Sequence, residues 1–217
     1  IEISDLIHLF SETDLIKHSH SENEFNDFSK EILLPQRQSE HGPALAVADV
    51  NGDGLEDVFI GAAHDDPPTL FIQKSSGKFK RSDTQPWAEF RDSEEIGAHF
   101  FDADNDGDLD LYVASGSTEK FLADPAYRDQ LYLNDGSGTF RHSIDALPKM
   151  LRSSQVVRSA DIDGDGDLDL FVGGRNVPGA YPKTPNSFIL INNDGIFADH
   201  TRSWNKNIPF LGMVTDA

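Results

Sequence analysis

Short apolar runs alternate with acidic stretches along the chain, and this pattern predicts β-strands. The runs "ALAVA" at 44–48, "AHFF" at 98–101 and "VVRSA" at 156–160 each lead into an aspartate-rich stretch, and another apolar run follows it. Runs this short, with no 3.6-residue periodicity between them, favour strands over helices. Each acidic stretch is therefore predicted to be the loop between two adjacent strands, A and B.

A second pattern predicts two further strands, C and D, after each acidic loop. The segments "LFIQKSSGKF" from Leu70, "LYLNDGSGTF" from Leu131 and "FILINNDGIF" from Phe188 each join two apolar runs through Ser-Ser-Gly or Asn-Asp-Gly. These residues accept the positive φ angles of a tight hairpin turn. The repeating unit is therefore predicted to have four strands and to occur three times.

Tandem four-stranded units of this length are typical of β-propeller blades, so we predict an all-β, partial β-propeller. In an up-and-down meander, the acidic loops and the tight hairpins lie on one rim, and the long B-to-C loops lie on the other. A four-bladed ring that uses residues 1–41 as its last blade is the alternative. The predicted divisions are an N-terminal segment at 1–41 (a closing strand, a short helix near 25–33, or a plug), blades at 42–96, 97–152 and 153–211, and the start of a further blade at 212–217.

The charge of the chain narrows the classes of partner. The 217 residues include 18 Lys and Arg against 38 Asp and Glu, which gives a formal net charge of −20. Such a charge argues against nucleic acid or an anionic membrane surface as partner and favours cations. No apolar stretch is long enough to span a membrane, and the first residues lack a basic region, so any secretion signal has been removed or was never there. The absence of cysteine excludes disulfides, thiolate zinc sites and a cysteine nucleophile.

The three acidic loops follow one template, D-x-[DN]-x-D-G-x-x-D, and begin at Asp49, Asp102 and Asp161. Alternating carboxylate and amide oxygens with a glycine at position six are typical of a loop that wraps around Ca²⁺. We predict about three calcium sites, one in each loop, with side-chain ligands at positions one, three, five and nine and a backbone carbonyl at position seven. The predicted ligands are Asp49, Asn51, Asp53, Leu55 and Asp57; Asp102, Asp104, Asp106, Asp108 and Asp110; and Asp161, Asp163, Asp165, Asp167 and Asp169.

The same loops have three alternative interpretations: an EF-hand, a site for another metal, and acidic turns without an ion. An EF-hand needs a glutamate at position twelve and a following helix, but that position is Ile60, Val113 or Val172 in the three copies. The all-oxygen ligand set disfavours zinc, and the number of carboxylates disfavours magnesium, whereas manganese is an alternative to calcium. Solvated acidic turns without an ion are the remaining alternative. If calcium binds, a structural role is favoured over a regulatory one, because each ion would neutralise charge within one blade.

The three segments "DVNGDGLEDVFIGAA", "DADNDGDLDLYVASG" and "DIDGDGDLDLFVGGR" resemble FG-GAP/VCBS repeats, the blades of integrin α-subunit propellers and of many bacterial exported proteins. The opening "HSENEFNDFSKEILLPQ", the hairpin "RDQLYLNDGSGTF" and "FVGGRNVPGAYP" further resemble bacterial proteins of the ASPIC/UnbV type, which are related to cartilage acidic protein. The resemblance implies a seven-bladed or similar propeller with calcium in its A-to-B loops. It also implies an extracytoplasmic location, whether secreted, periplasmic or at the cell surface, and a role in adhesion or ligand binding. The first loop departs from the pattern at Asn51 and Glu56, which predicts the weakest site there.

The long loops gather cationic and aromatic side chains that suit a protein or glycan ligand. These candidate rim residues are Lys120, Tyr127, Arg128, Arg175, Tyr181 and Lys183. Solvated loop tips with structural tyrosines are the alternative interpretation. Motifs of serine hydrolases, P-loops and zinc proteases are absent, so no catalytic residue is predicted. The favoured function is a non-catalytic, calcium-stabilised binding or adhesion module. The alternatives are part of a carbohydrate-active enzyme and a purely structural scaffold.

Overall fold

The predicted strands form three antiparallel sheets of four strands each in the computed structural model, which describes residues 13–82 and 85–217. The first sheet contains β1 (Leu45–Ala48), β2 (Asp57–Ile60), β3 (Thr69–Gln73) and β4 (Phe79–Arg81). The second contains β5 (Glu95–Phe101), β6 (Asp110–Ser115), β7 (Gln130–Asn134) and β8 (Phe140–His142). The third contains β9 (Ser153–Ala160), β10 (Asp169–Asn176), β11 (Phe188–Asn193) and β12 (Ile196–Asp199). The all-β prediction is confirmed.

Helical structure within the described residues is short. It consists of one α-helix, α1 (Thr201–Trp204), and four 3₁₀ turns at Asp27–Ser29, Pro86–Glu89, Pro125–Tyr127 and Ile208–Phe210. None of these described helices has the length and apolar character needed to cross a membrane.

The three acidic loops close their strands in the same register. The last residue of strand A pairs with the ninth loop residue in every copy: Ala48 with Asp57, Phe101 with Asp110, and Ala160 with Asp169. The tight hairpins between strands C and D are also present. Gly77 and Gly195 have φ angles of +75° and +80° at these turns, as the sequence predicts. The repeat in sequence is therefore a repeat in backbone structure.

Successive sheets pack face to face, and the middle sheet is buried on both faces. Along β6, Leu111 and Val113 belong to the core shared with the first sheet, whereas Tyr112 and Ala114 belong to the core shared with the third. This division follows from the alternation of side chains along a strand. Because both of its faces are buried, β6 has a continuous apolar run and lacks the alternation of polar and apolar residues that a half-exposed strand shows.

The core between the first two sheets is built around Trp87, which is 3 % exposed. Its ring makes edge contacts with Phe59 and Tyr132, at centroid distances of 5.4 and 5.5 Å. Edge-to-face geometry is the favoured arrangement of aromatic rings and adds to the free energy of burial. Trp87 lies in the 3₁₀ turn between β4 and β5, so the connection between two sheets is itself part of the core.

The N-terminal segment lies across the long loops of the second and third sheets. Residues 1–12 of the predicted segment lie outside the described residues, and the described part, 13–41, has one 3₁₀ turn and no strand. Asp27 accepts a hydrogen bond from the Thr118 hydroxyl, and Glu31 accepts one from the Tyr181 backbone N–H at 2.8 Å. The segment thus covers the side of the sheets opposite the acidic loops.

The predicted divisions stay a prediction, and two features of the structure lie at their boundaries. β5 begins at Glu95, two residues before position 97. Residues 212–217 form no strand, but the Val214 backbone N–H donates to the Gly174 carbonyl of β10 at 2.9 Å. The final residues therefore lie beside the third sheet.

Two asparagines at equivalent positions join each hairpin to the acidic loop of the preceding sheet. The Asn134 side-chain amide donates to the carbonyls of Val50 and Leu109, at 2.8 and 3.1 Å. Asn192 repeats this arrangement with Ala103 and Leu168, at 2.8 and 3.1 Å. Each amide thus connects its own sheet to the previous one through buried hydrogen bonds.

Replacing Asn134 by alanine should lower the free energy of unfolding by about 1–3 kcal/mol, because two carbonyl oxygens lose their donor. Asn192→Ala should have a similar effect. Asn207, which is exposed, provides a matched control whose replacement by alanine should change stability by less than about 0.5 kcal/mol. Urea denaturation of the three variants measures these values. If Asn134→Ala and Asn192→Ala behave like the control, the asparagines do not couple the sheets.

Candidate metal centres

The acidic loops are shaped by hydrogen bonds from their own backbone to their aspartates. In the first two loops, the first aspartate accepts from the N–H of the glycine at position six: Asp49 from Gly54 at 2.7 Å, and Asp102 from Gly107 at 3.0 Å. The aspartate at position five accepts from the N–H of position seven in all three loops, at 2.9–3.0 Å. Gly107 has a φ of +92°, a conformation that glycine adopts without strain. These contacts fold each loop back on itself.

The carboxylates at positions one, three and nine converge in the second and third loops. One oxygen of each lies within 4.8 Å of the others in two groups, Asp102, Asp104 and Asp110, and Asp161, Asp163 and Asp169. Calcium–oxygen distances of 2.3–2.6 Å place opposite ligands about 5 Å apart, so three such oxygens can share one ion. The first loop has Asn51 at position three, so it offers an amide oxygen where the other two offer a carboxylate.

The remaining predicted ligands are the aspartates at position five and the carbonyls at position seven. The side chains of Asp53, Asp106 and Asp165 are exposed, and each accepts a hydrogen bond from the backbone of its own loop. Coordination by these side chains and by the carbonyls of Leu55, Asp108 and Asp167 stays a prediction.

Two oxygens in the second loop have the environment expected of metal ligands. Within the described residues, Asp102 Oδ1 and Asp104 Oδ1 are buried and have no hydrogen-bond partner. A buried carboxylate oxygen without a donor is unfavourable unless a cation or a proton satisfies it. The residues present in this loop therefore fit a hard cation.

The electrostatics of the loops also favour a bound cation. Burial raises the pKa of Asp110 to about 7, and burial together with the charges of Asp106 and Asp102 raises the pKa of Asp104. Desolvation also acts on Asp49, but hydrogen bonds from its loop backbone outweigh it and hold its pKa below the usual value. Raised pKa values mark a site where negative charges lack a counter-charge, which a divalent cation would supply.

The aspartate at position nine has a structural role that sequence reasoning missed. Asp57, Asp110 and Asp169 are each 0 % exposed. In every copy, Oδ2 accepts from the backbone N–H of position two at 2.8–3.2 Å. Oδ1 accepts from the backbone of the neighbouring strand C, at Gln73, Asn134 or Asn192, at 2.7–2.8 Å. The carboxylate therefore fastens the acidic loop to strand C and keeps lone pairs free for an ion.

In the third loop, the side chain at position seven connects neighbouring loops. Asp167 accepts from the Asn105 amide of the second loop at 2.5 Å and from the Asp194 backbone N–H of its own hairpin at 3.2 Å. Asp167 is predicted to offer its backbone carbonyl to the ion. Its side-chain carboxylate makes separate hydrogen bonds outside the ion site.

The predicted ligand rim does not form one open surface. Tyr127 is 1 % exposed, and its hydroxyl bonds with the backbone of Lys120, so its ring faces the interior. The Lys120 ammonium contacts His64, and the Arg128 guanidinium donates to the Ile144 carbonyl. Tyr181 is partly covered by the N-terminal segment, Arg175 Nε is buried, and Lys183 is exposed. The structural interpretation of Tyr127 is therefore the better one.

A third group of metal-binding residue types lies on the long-loop side. His64, Asp65 and Asp92 each bring one ligand atom within 4.8 Å of the others. The Lys120 ammonium, which contacts His64, already places a positive charge at this group. We therefore assign it no ion.

Replacing Asp110 by alanine should lower the free energy of unfolding by about 2–5 kcal/mol, because the buried N–H groups of Ala103 and Asn134 lose their acceptors. Denaturation in urea with EDTA present isolates this effect from metal binding. Asp108→Ala, two residues away in the same loop, is the matched control and should cost less than about 1 kcal/mol. Equal costs for the two variants would contradict the proposed role of the ninth aspartate.

Comparison with known proteins agrees with the repeat. A family model described as an FG-GAP-like repeat matches residues 49–113 and 114–172, which together make up more than half of the chain. The matched ranges include all three acidic loops. No curated protein matches the chain. The chain therefore belongs to the FG-GAP-like repeat family.

Proposed function

We propose that this chain is a calcium-binding part of a β-propeller and acts as a non-catalytic binding or adhesion module in an extracytoplasmic space or at the cell surface. The observation that carries the proposal is the convergence of three carboxylates in the second and third loops, two of whose oxygens in the second loop are buried without a donor. Such loops suit an ion.

Calcium is the ion that suits the loops best. The donor set is entirely oxygen, from aspartate, asparagine and backbone carbonyls. Zinc prefers nitrogen and sulfur ligands, and magnesium retains several waters and few protein carboxylates. Manganese accepts a similar oxygen set and is the ion to compare with calcium.

The proposed role of each ion is to stabilise the fold. Each loop joins strands A and B of one sheet, and its ninth aspartate also holds strand C. An ion bound there would neutralise repulsion among the aspartates and so favour the folded loop. The first loop, with Asn51 in place of a carboxylate, should bind most weakly.

The arrangement of the A strands supports a propeller. The Ala44 backbone N–H donates to the Glu95 carbonyl at 2.9 Å, so the first two A strands lie side by side. β5 and β9 also lie close together, since a Cβ on Gly97 would meet the Gln155 carbonyl oxygen at 2.0 Å. Neighbouring A strands of this kind are expected at the inner edge of propeller blades. Val214 lies against Gly173 and Gly174 of β10, beside the third sheet.

The resemblance to exported proteins of the ASPIC/UnbV type supports the proposed location and the binding role. A net charge of −20 fits partners other than nucleic acid. The long-loop side, partly covered by the N-terminal segment, is the proposed side for a protein or glycan ligand.

Removal of calcium should destabilise the protein. A site filled at a hundred times its Kd contributes about 2.7 kcal/mol, and each kcal/mol corresponds to roughly 2–4 °C for a chain of this size. EDTA should therefore lower the Tm by roughly 5–10 °C for each site emptied. Calcium, and to a lesser degree manganese, should restore it, whereas magnesium should not.

A pair of variants in the second loop controls this experiment. Asp106→Asn removes a proposed ligand charge, whereas Asp108→Asn changes a position whose side chain is not a proposed ligand. Calcium affinity, measured by isothermal titration, should fall roughly tenfold or more for Asp106→Asn and change little for Asp108→Asn. If the Tm of the unmodified protein does not change when EDTA is added, the result would contradict the proposed sites.

A glycan array and a panel of glycoside hydrolase substrates, probed with the same calcium-loaded sample, test the binding role. The proposal predicts binding to a ligand without turnover. Turnover would instead identify a carbohydrate-active enzyme, and silence in both assays together with no protein partner would favour a scaffold. Either turnover or silence of this kind would overturn the proposed binding function.

A further inference from the structure

A cleft lies between the first and second sheets on the long-loop side, away from the acidic loops. It has a volume of about 250 Å³, and its walls come from the connection between β4 and β5, the long loop before β7, and the ends of β7 and β8. The lining of this first cleft includes Phe90, Asp92, Arg128, Gln130, His142 and Ile144. A cleft of this size accommodates a single small ring.

The first cleft offers aromatic and apolar surface to a ligand. The ring centroids of Phe90 and His142 lie 4.5 Å apart, and Ile144 is 56 % exposed. Burial, followed by the charge of Arg128, lowers the pKa of His142, whereas the charge of Glu89 opposes this shift. The imidazole is therefore neutral at pH 7 and has one nitrogen as a donor and the other as an acceptor.

The first cleft also contains a buried polar side chain that lacks a partner. Gln130 is 5 % exposed, and its Nε2 donates to the Arg128 carbonyl at 2.8 Å. In the portion of the chain that the structure describes, Gln130 Oε1 is buried without a hydrogen-bond partner. Such an oxygen is unfavourable unless a bound molecule or a water donates to it. A ligand hydroxyl group would satisfy this requirement.

Charges of both signs line the first cleft. The Arg128 guanidinium has five N–H donors, and one of them donates to the Ile144 carbonyl. The carboxylates of Glu89 and Asp92, which are both exposed, are acceptors in the same lining. An anion would be repelled by the carboxylates, and a cation would be repelled by the guanidinium. A neutral ligand with several donors and acceptors therefore fits best.

A second cleft, of about 310 Å³, lies at the equivalent place between the second and third sheets. Its lining differs at the positions that supply polar groups to the first cleft. The counterparts by strand register are Asn186 for Arg128, Phe188 for Gln130 and Asp199 for His142. Among the described residues that line this second cleft, no buried side-chain atom lacks a partner. The unpartnered oxygen of Gln130 thus distinguishes the first cleft.

We propose that the first cleft binds one sugar ring of a neutral glycan, with Phe90 against an apolar face of the ring and with Arg128 and Gln130 hydrogen-bonded to its hydroxyl groups. A sugar ring combines apolar C–H faces with hydroxyl groups that both donate and accept. This inference rests on the proposed binding function, and it specifies the class of ligand and the part of the long-loop side that binds it.

An NMR titration of the full calcium-loaded chain with methyl glycosides of the common neutral hexoses and N-acetylhexosamines tests the proposal. At least one glycoside should bind with a Kd of roughly 1 mM, because a ligand of this size makes few contacts. Arg128→Leu should weaken its binding roughly tenfold, because a hydrogen bond from a charged donor is lost. Gln130→Leu should also weaken binding, and it serves as a second test if Arg128→Leu does not fold.

A matched control and a local signal show whether the glycoside occupies the first cleft. Arg152→Leu is the control, because Arg152 is half-buried like Arg128 but lines the second cleft. This variant should bind the glycoside as the unmodified protein does. The ring protons of His142 should shift when the glycoside is added, whereas those of His99, on β5, should not.

The possible failures of this inference and of the proposed function are distinguishable. Equal affinities for the unmodified protein, Arg128→Leu and Gln130→Leu would overturn the cleft as the site and would leave glycan binding elsewhere on the protein. Absence of binding for every glycoside would also overturn the inference, although a protein partner would still support the proposed binding function. Hydrolysis of a glycoside whose affinity falls in both variants would support the cleft and contradict the non-catalytic function.

Discussion

The structure depends on how carboxylates are accommodated where strands A and B meet. Two carboxylates about 5 Å apart repel by about 3 kcal/mol at an effective dielectric constant of 20, and each loop contains several such pairs. Backbone N–H groups offset part of this repulsion, because they donate hydrogen bonds to the aspartates at positions one, five and nine. They do not reach the buried oxygens of Asp102 and Asp104. A bound cation is the element that would balance the remainder.

The loops also act together. Asn192 donates to the second loop from the third sheet, and Asp167 accepts from Asn105 in the second loop. Asn134 makes the equivalent bond to the first loop. Charge neutralisation at one loop would therefore stabilise that loop's contacts with the next loop. Ions bound at separate loops would together stabilise the side of the structure that the acidic loops form. Coupling of this kind would give the repeats cooperativity beyond their shared apolar cores.

Much of this architecture could be predicted from sequence because it is local. The apolar runs, the hairpins with glycine at positive φ and the aspartate spacing are all contained within a few residues of one another. The second role of Asp110 could not be found this way, because its partner Asn134 lies 24 residues away in sequence and is set by strand pairing. The length of its loop predicts Tyr127 as a rim residue, but its hydroxyl donates back to the Lys120 carbonyl.

A crystal structure of the calcium-loaded protein, with anomalous scattering measured to identify the ion, tests the central claim most directly. The account predicts a calcium peak in the second and third loops, 2.3–2.6 Å from oxygens of Asp102, Asp104 and Asp110 and of Asp161, Asp163 and Asp169. Loops of the same conformation that contain only water, or a lysine side chain, at high calcium concentration would contradict it.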